Sequence, residues 1–235
     1  MTAKKGNIKK NNLIKPISIV FSTRTLNERF VKHLKESSGL GDKIQIIPFV
    51  NNGEKSLTQV YNEGLEQAKH DIVVFCHDDI FFNTQDWGLA LSDHFTRNMG
   101  YGIIGVAGTN KLVSGRWWED TTRMFGTVNH SDGQKVWANK YSEDQGIFMK
   151  RMIALDGVFF AAHKKRIKSK FDESFEGFHF YDVSFTLENH LNNVKVGLIT
   201  NIRITHMSIG ETNDKWEENK VIFETKYKDK LPCEI

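Results

Sequence analysis

Three short apolar runs separated by two helical stripes fill the first eighty residues, and this alternation leaves few folds open to the chain. Ile17-Ser-Ile-Val-Phe21 is β-branched, aromatic and continuous, as a strand buried on both faces must be. From Thr25 to Ser37, Leu26, Phe30 and Leu34 recur at helical spacing, and Gly39 and Gly41 stop the helix. A second apolar run, Ile44 to Val50, leads into the polar turn Asn51-Asn-Gly53. Ser56 and Gln59 then match a capping box, and Leu57, Val60, Tyr61, Gly64, Leu65 and Ala68 make one helical stripe. The third run, Asp71 to Cys76, passes straight into His77-Asp78-Asp79. Strand, helix, strand, helix, strand predicts an α/β domain with a mostly parallel central sheet flanked by helices. Such sheets bind ligands at the carboxyl ends of their strands. Ser22-Thr-Arg24, Asn51-Asn52 and His77-Asp78-Asp79 are all expected there.

Further on, Trp87, Ala90, Leu91, His94 and Phe95 predict a helix, and Gly102 to Ala107 a strand. Residues 111–150 are weakly periodic, hold Trp117, Trp118 and Trp137, and are expected to be irregular and functional. Leu155 to Ala161 predicts a strand, Asp182 to Leu191 a helix, and Val194 to Ile199 and Asn201 to Thr205 two more strands. An amphipathic helix over 214–230 carries Trp216, Phe223 and Tyr227 on one stripe. No repeat or linker divides the chain, so residues 17–235 are expected to form one domain behind a tail of residues 1–16.

Composition mainly excludes. Two cysteines, Cys76 and Cys233, rule out a disulfide scaffold or a Cys-rich zinc module. No apolar run approaches the roughly 20 residues of a membrane-spanning helix, and the N-terminus lacks the apolar stretch of a signal peptide. The expected location is cytoplasmic. The net charge is +3, but Lys4, Lys5, Lys9, Lys10 and Lys15 put +5 on the tail and leave −2 for the rest. A near-neutral body argues against nucleic-acid binding. The tail is read as a solvated extension, with peripheral contact to an anionic membrane surface as the alternative.

Asp78-Asp79 at the end of an apolar strand is the sharpest chemical signal. Two adjacent carboxylates repel unless a cation or donor network lies between them. A hard divalent ion accepts one or two such groups and fills its other positions with water and phosphate oxygens. The plainer reading is an acid pair in a loop. Asp156-Gly157, and Asp182 before its helix, are further acidic candidates, although Asp182 could simply be an N-cap. His206 is a candidate ligand or a polar strand-end residue. Cys76 is read as core. His77 has no Ser or Cys beside it to activate. The phosphate-binding loop, the dinucleotide fingerprint and the HExxH zinc motif are all absent.

Taken in order, Val60-Tyr-Asn-Glu-Gly64, Asp71-Ile-Val-Val-Phe-Cys-His-Asp-Asp79, Leu155-Asp-Gly157, Phe171-Asp-Glu173, Phe178-His-Phe-Tyr-Asp182 and His206-Met-Ser-Ile-Gly210 resemble family 2-like glycosyltransferases of the GT-A fold. The closest resemblance is to the small group first described from streptomycin biosynthesis, and it covers about Ile17 to Gly210. It implies a nucleotide-binding half over 17–110, an acceptor half over 111–210 and a C-terminal helix over 211–235. It further implies that Asp79 and His206 hold Mn²⁺ or Mg²⁺ on a UDP- or GDP-linked sugar, with Asp78 nearer the ribose or sugar. Asp182 would be the catalytic base, Asp156 would lie at the floor of the sugar and acceptor site, and Arg24, Asn51 and Asn62 would serve the nucleoside end.

The implied reaction is an inverting transfer to a glycan or other hydroxyl acceptor, as in polysaccharide or cell-envelope biosynthesis. The tryptophans of 111–150 would contribute to the acceptor side or else close a small core. Departures are visible too. Tyr181 precedes Asp182 where relatives place Glu, Asn51-Asn52 stand where an Asp is common, and the signature of processive synthases is missing. A non-catalytic sugar-nucleotide-binding relative and a nucleotide-sugar hydrolase are the alternatives.

Overall fold

The computed structural model describes residues 14–142, 150–210 and 212–235. Most of the basic tail, the end of the 111–150 segment and Glu211 lie outside the described residues.

The first half follows the predicted alternation. It comprises β1 (Ile17–Thr23), α1 (Glu28–Ser38), β2 (Ile44–Val50), α2 (Leu57–Gln67), β3 (Ile72–Cys76), β4 (Ile80–Phe82), α3 (Trp87–Arg97) and β5 (Tyr101–Gly105). Local chemistry sets the helix ends. Asn27 caps α1 by accepting from the Arg29 and Phe30 amides, and Gly39 ends it at φ +70°. The Ser56/Gln59 capping box of α2 is present in full. Gly64 is required by packing, since a Cβ there would overlap the Val20 side chain of β1.

The second half departs from expectation. It comprises β6 (Ala107–Thr109), β7 (Lys111–Leu112), β8 (Met124–Ser131), β9 (Val136–Lys140), β10 (Lys150–Met152), β11 (Ala154–Leu155), β12 (Phe159–His163), α4 (Tyr181–Leu191), β13 (Lys195–Leu198), β14 (Ile204–His206), α5 (Asp214–Tyr227) and β15 (Cys233–Glu234). The segment expected to be irregular contains the antiparallel pair β8–β9. The run expected as one strand over 155–161 is broken at Asp156-Gly157-Val158, where the chain crosses between sheets. Asn201 to Thr205 is a strand only from Ile204.

The main sheet has seven strands in the order β10-β13-β5-β12-β3-β1-β2. β1 runs parallel to β2 and β3, and β13 to β5. β12 lies antiparallel between β3 and β5, and β10 antiparallel to β13, so the sheet is mixed. Side chains of opposite sheet faces feed two cores. One gathers Ile17, Ile19, Val74, Leu34, Trp87 and Leu91, and the other gathers Val20, Val73, Phe75, Tyr61, Phe160 and Phe185. Each such apolar side chain stabilises the fold by about 1.5–3 kcal/mol on burial.

A second sheet, β11-β6-β8-β14-β4 with β9 on β8, lies beside the carboxyl end of β3. Its register matters for the site. His206 of β14 pairs with Ile80 of β4, and the Met207 amide donates to the Asp79 carbonyl at 2.8 Å. Two residues far apart in sequence are thereby held side by side.

Candidate active site

A cleft of about 950 Å³ opens at the carboxyl ends of β1, β2 and β3. Thr23 and Arg24, Asn51, and His77 to Asp79 form one side. The β8–β9 hairpin, the 115–118 loop, the start of α4 and the chain after β14 form the other. Residues of all three polar clusters expected at the sheet edge are on its lining, although Asn52 is not.

At its floor, three side chains converge. His77 Nδ1 lies 3.1 Å from His206 Nε2 and 3.9 Å from Asp79 Oδ1, and His206 Nε2 lies 3.2 Å from Asp79 Oδ1. His77 and Asp79 lie in the short turn between the end of β3 at Cys76 and the start of β4 at Ile80, which brings their side chains together. Register brings His206 to them. Burial pushes the Asp79 carboxyl up. Hydrogen bonds from His206 and Ser208 and the nearby imidazoles outweigh that effect and hold it down at about 2. Burial, then the neighbouring His206, keeps His77 below its ordinary value, so its ring is neutral at pH 7.

These residues fit a divalent cation. Their ligand atoms all lie within 4.8 Å of one another. Bonds of about 2.1 Å place neighbouring ligands about 3 Å apart, close to the spacings present. Two imidazoles and one carboxylate suit Mn²⁺ or a softer first-row ion better than the all-oxygen shell Mg²⁺ prefers.

Asp182 stands apart from this group, in the first turn of α4. It is not the N-cap. That position is Phe180, at φ +64° and without a capping side chain. Asp182 Oδ2 accepts the Gly157 amide at 2.8 Å. Burial, reinforced by the Asp156 carboxylate, raises the Asp182 carboxyl to about 7 against the opposing pull of backbone amides. A carboxyl poised there can take up a proton near neutral pH. Asp156 is fixed by its own turn, with Oδ1 accepting the Val158 amide at 2.9 Å. Gly157 cannot carry a side chain, because a Cβ would collide with the Tyr181 hydroxyl and lie 2.8 Å from Asp182 Oδ2.

Seven of the eight candidate residues line the cleft: Arg24, Asn51, Asp78, Asp79, Asp156, Asp182 and His206. Asn62 does not. It is buried, donates to the Phe171 carbonyl and to Glu173, and accepts the Phe171 amide, all at 2.8–2.9 Å. Its amide is committed to a backbone segment 109 residues away, which corrects its assignment to the nucleoside end. Asn51 lines the cleft, but its amide is engaged with the Lys55 backbone and Ser22. Arg24 and Asp78 are exposed at the rim.

Sequence reasoning did not place His77 in this group, nor beside it Tyr181, whose hydroxyl meets His77 Nε2 at 2.8 Å. The two-residue spacing of His77 and Asp79 at a strand end was the available signal. The tryptophans differ in exposure. Trp117 and Trp216 are buried in an aromatic cluster, and Trp118 remains 38% exposed at the cleft wall. Trp137 stacks on His130.

Among curated proteins, none matches the sequence. Solved structures do match the fold. One is GalNAc-T7 with UDP, GalNAc and Mn²⁺, at 12% identity and TM-score 0.57, covering 93% of this chain and 50% of that one. Another is the mannosyltransferase PcManGT from Pyrobaculum calidifontis with GDP-Man and Mn²⁺, at 9% identity and TM-score 0.56, covering 92% and 64%. The chain thus spans half to two thirds of the length of these neighbours, and at such identities they establish the fold alone. The model of the glycosyltransferase-like family matches residues 22–227, nearly the whole of the folded chain. The chain therefore belongs to that glycosyltransferase-like family and has the GT-A fold.

Proposed function

We propose that the protein transfers a sugar from a UDP- or GDP-linked donor to a glycan or other hydroxyl acceptor, with inversion, using Mn²⁺. One observation carries this reading: a single cleft holds both a His-Asp-His group suited to a divalent ion and a separate carboxyl poised near pH 7. Titratable groups with distinct environments are the mark of divided chemical roles. His77, Asp79 and His206 would hold the cation, which when bound offsets the charge of the departing diphosphate. Asp78 and Arg24 at the rim face the donor, and Asp156 lies on the sugar side.

The acceptor hydroxyl attacks the anomeric carbon as the bond from that carbon to the diphosphate oxygen breaks. Asp182 takes the hydroxyl proton in the same step. Carbon changes partner once, so no covalent enzyme intermediate is required. Trp118, half open on the cleft wall, offers an aromatic face for an acceptor sugar. Polysaccharide or cell-envelope synthesis is the fitting setting, and the order of motifs supports a likeness to the group described from streptomycin biosynthesis. Two free cysteines suit a cytoplasmic location. Among the described residues, no helix is long and apolar enough to cross a membrane.

Calorimetry with UDP and GDP, with and without Mn²⁺, tests the donor site, and binding that is stronger with the metal is expected. Absence of metal-dependent binding to any nucleoside diphosphate would refute it. Sugar release to water that added glycans leave unchanged would instead identify a hydrolase.

A further inference from the structure

We propose that Tyr181 is a positioning residue of the metal site, its hydroxyl accepting the Nε2 proton of His77 and so turning the Nδ1 lone pair toward Asp79 and His206. The inference rests on reading that group as a cation site. A neutral imidazole carries one N–H, and only the Nε2–H form leaves Nδ1 free to ligate. Ligating histidines nearly always donate their second nitrogen to a fixed acceptor. At His77 that place is filled by Tyr181 Oη, 2.8 Å from Nε2, while Nδ1 faces His206 and Asp79.

The surroundings hold the hydroxyl there. Tyr181 is 4% exposed, and its ring packs edge-on against Tyr61 at 5.4 Å. A buried hydroxyl costs stability unless it is hydrogen-bonded, so packing alone would be served as well by Phe. Gly157 leaves room for this hydroxyl, since any Cβ would occupy its place. Tyr181 reaches from the first turn of α4 to the metal group. Consecutive residues of one helix thus serve the two halves of the site, Tyr181 the cation and Asp182 the proton.

The test is Mn²⁺ affinity without nucleotide, read by paramagnetic resonance and calorimetry on wild type, Tyr181→Phe, His77→Ala and Asp79→Asn. Tyr181→Phe is expected to weaken Mn²⁺ binding about 10- to 100-fold, with a thermal midpoint in chelator close to wild type. Wild-type affinity in Tyr181→Phe, with binding lost in His77→Ala and Asp79→Asn, would overturn the role of Tyr181 while leaving the metal site standing. No saturable binding to wild type would overturn both. Independently of any variant, imidazole ¹⁵N shifts of wild type loaded with diamagnetic Zn²⁺ should place the His77 proton on Nε2. Ligation through Nε2 would refute the proposal.

Discussion

Replacing Asp182 with Asn should stabilise the protein at alkaline pH while removing the proposed transfer activity. Burial and the Asp156 carboxylate raise the Asp182 carboxyl from an ordinary 3.8 to about 7. The folded state then keeps a proton that the unfolded chain releases from about pH 4 upward, so stability falls as pH rises between about 4 and 7. Three pH units at about 1.36 kcal/mol each amount to about 4 kcal/mol. Asp182 keeps some access to the cleft, which makes this an upper figure. Asn cannot ionise, and its Oδ1 can still accept the Gly157 amide. Urea unfolding of both proteins in chelator, from pH 4 to 8.5, isolates the effect as a difference. That difference should be small at pH 4 and grow to as much as about 4 kcal/mol by pH 8.5, roughly 10 °C in midpoint for a chain of this length. Activity should move the opposite way, with kcat down about 10²- to 10⁴-fold for loss of a general base. In the wild type, kcat should rise with pH as Asp182 deprotonates. A stability difference that stays flat across this range would refute the buried-carboxyl reasoning. An unchanged rate in Asp182→Asn would refute the base assignment.

Three other outcomes follow from the same geometry. Saturating Mn²⁺ at about 100 times its dissociation constant should add about 2.7 kcal/mol to unfolding stability, and Asp79→Asn should abolish this gain in a thermal-shift titration. Gly157→Ala drives a methyl group into the Tyr181 hydroxyl and Asp182, so it should cost about 1–3 kcal/mol of stability and lower both Mn²⁺ affinity and kcat. Asn62→Ala strands the buried amide and carbonyl of Phe171, which should cost on the order of 3 kcal/mol while Mn²⁺ affinity stays at the wild-type value. A changed affinity there would restore Asn62 to the site.

How much of this was legible in the sequence depended on how local the cause was. Helix α2 was readable in full, because the Ser56/Gln59 box and the apolar stripe lie within a dozen residues. Strands β1 and β3 were readable because burial on both faces leaves a continuous apolar run, and the edge strand β2, only partly buried, because its own residues are nearly all apolar. Strand β8, Met124 to Ser131, was not. It carries Gly126 at φ +96° and polar side chains on both faces, and what makes it a strand is pairing with β9 in a hairpin and with β6 and β14, farther away in the chain. Asn62 shows the converse failure. An amide on a helix beside a ligand-bearing strand looks the same in sequence whether it faces a nucleoside or a buried backbone.

The site itself divides along the same line. Asp78 and Asp79 stood out because carboxylates following an apolar strand are locally anomalous, and Asp182 because it opens a helix. His77 did not, since its role depends on a partner 129 residues away. That partner is delivered by the register of β14 on β4, in which His206 faces Ile80. A slip of one residue would turn His206 to the other face of its strand and dissolve the group. The second sheet therefore does more than cover the first. Its register is what completes the His-Asp-His group, while the main sheet supplies only the two residues that follow its own strand end.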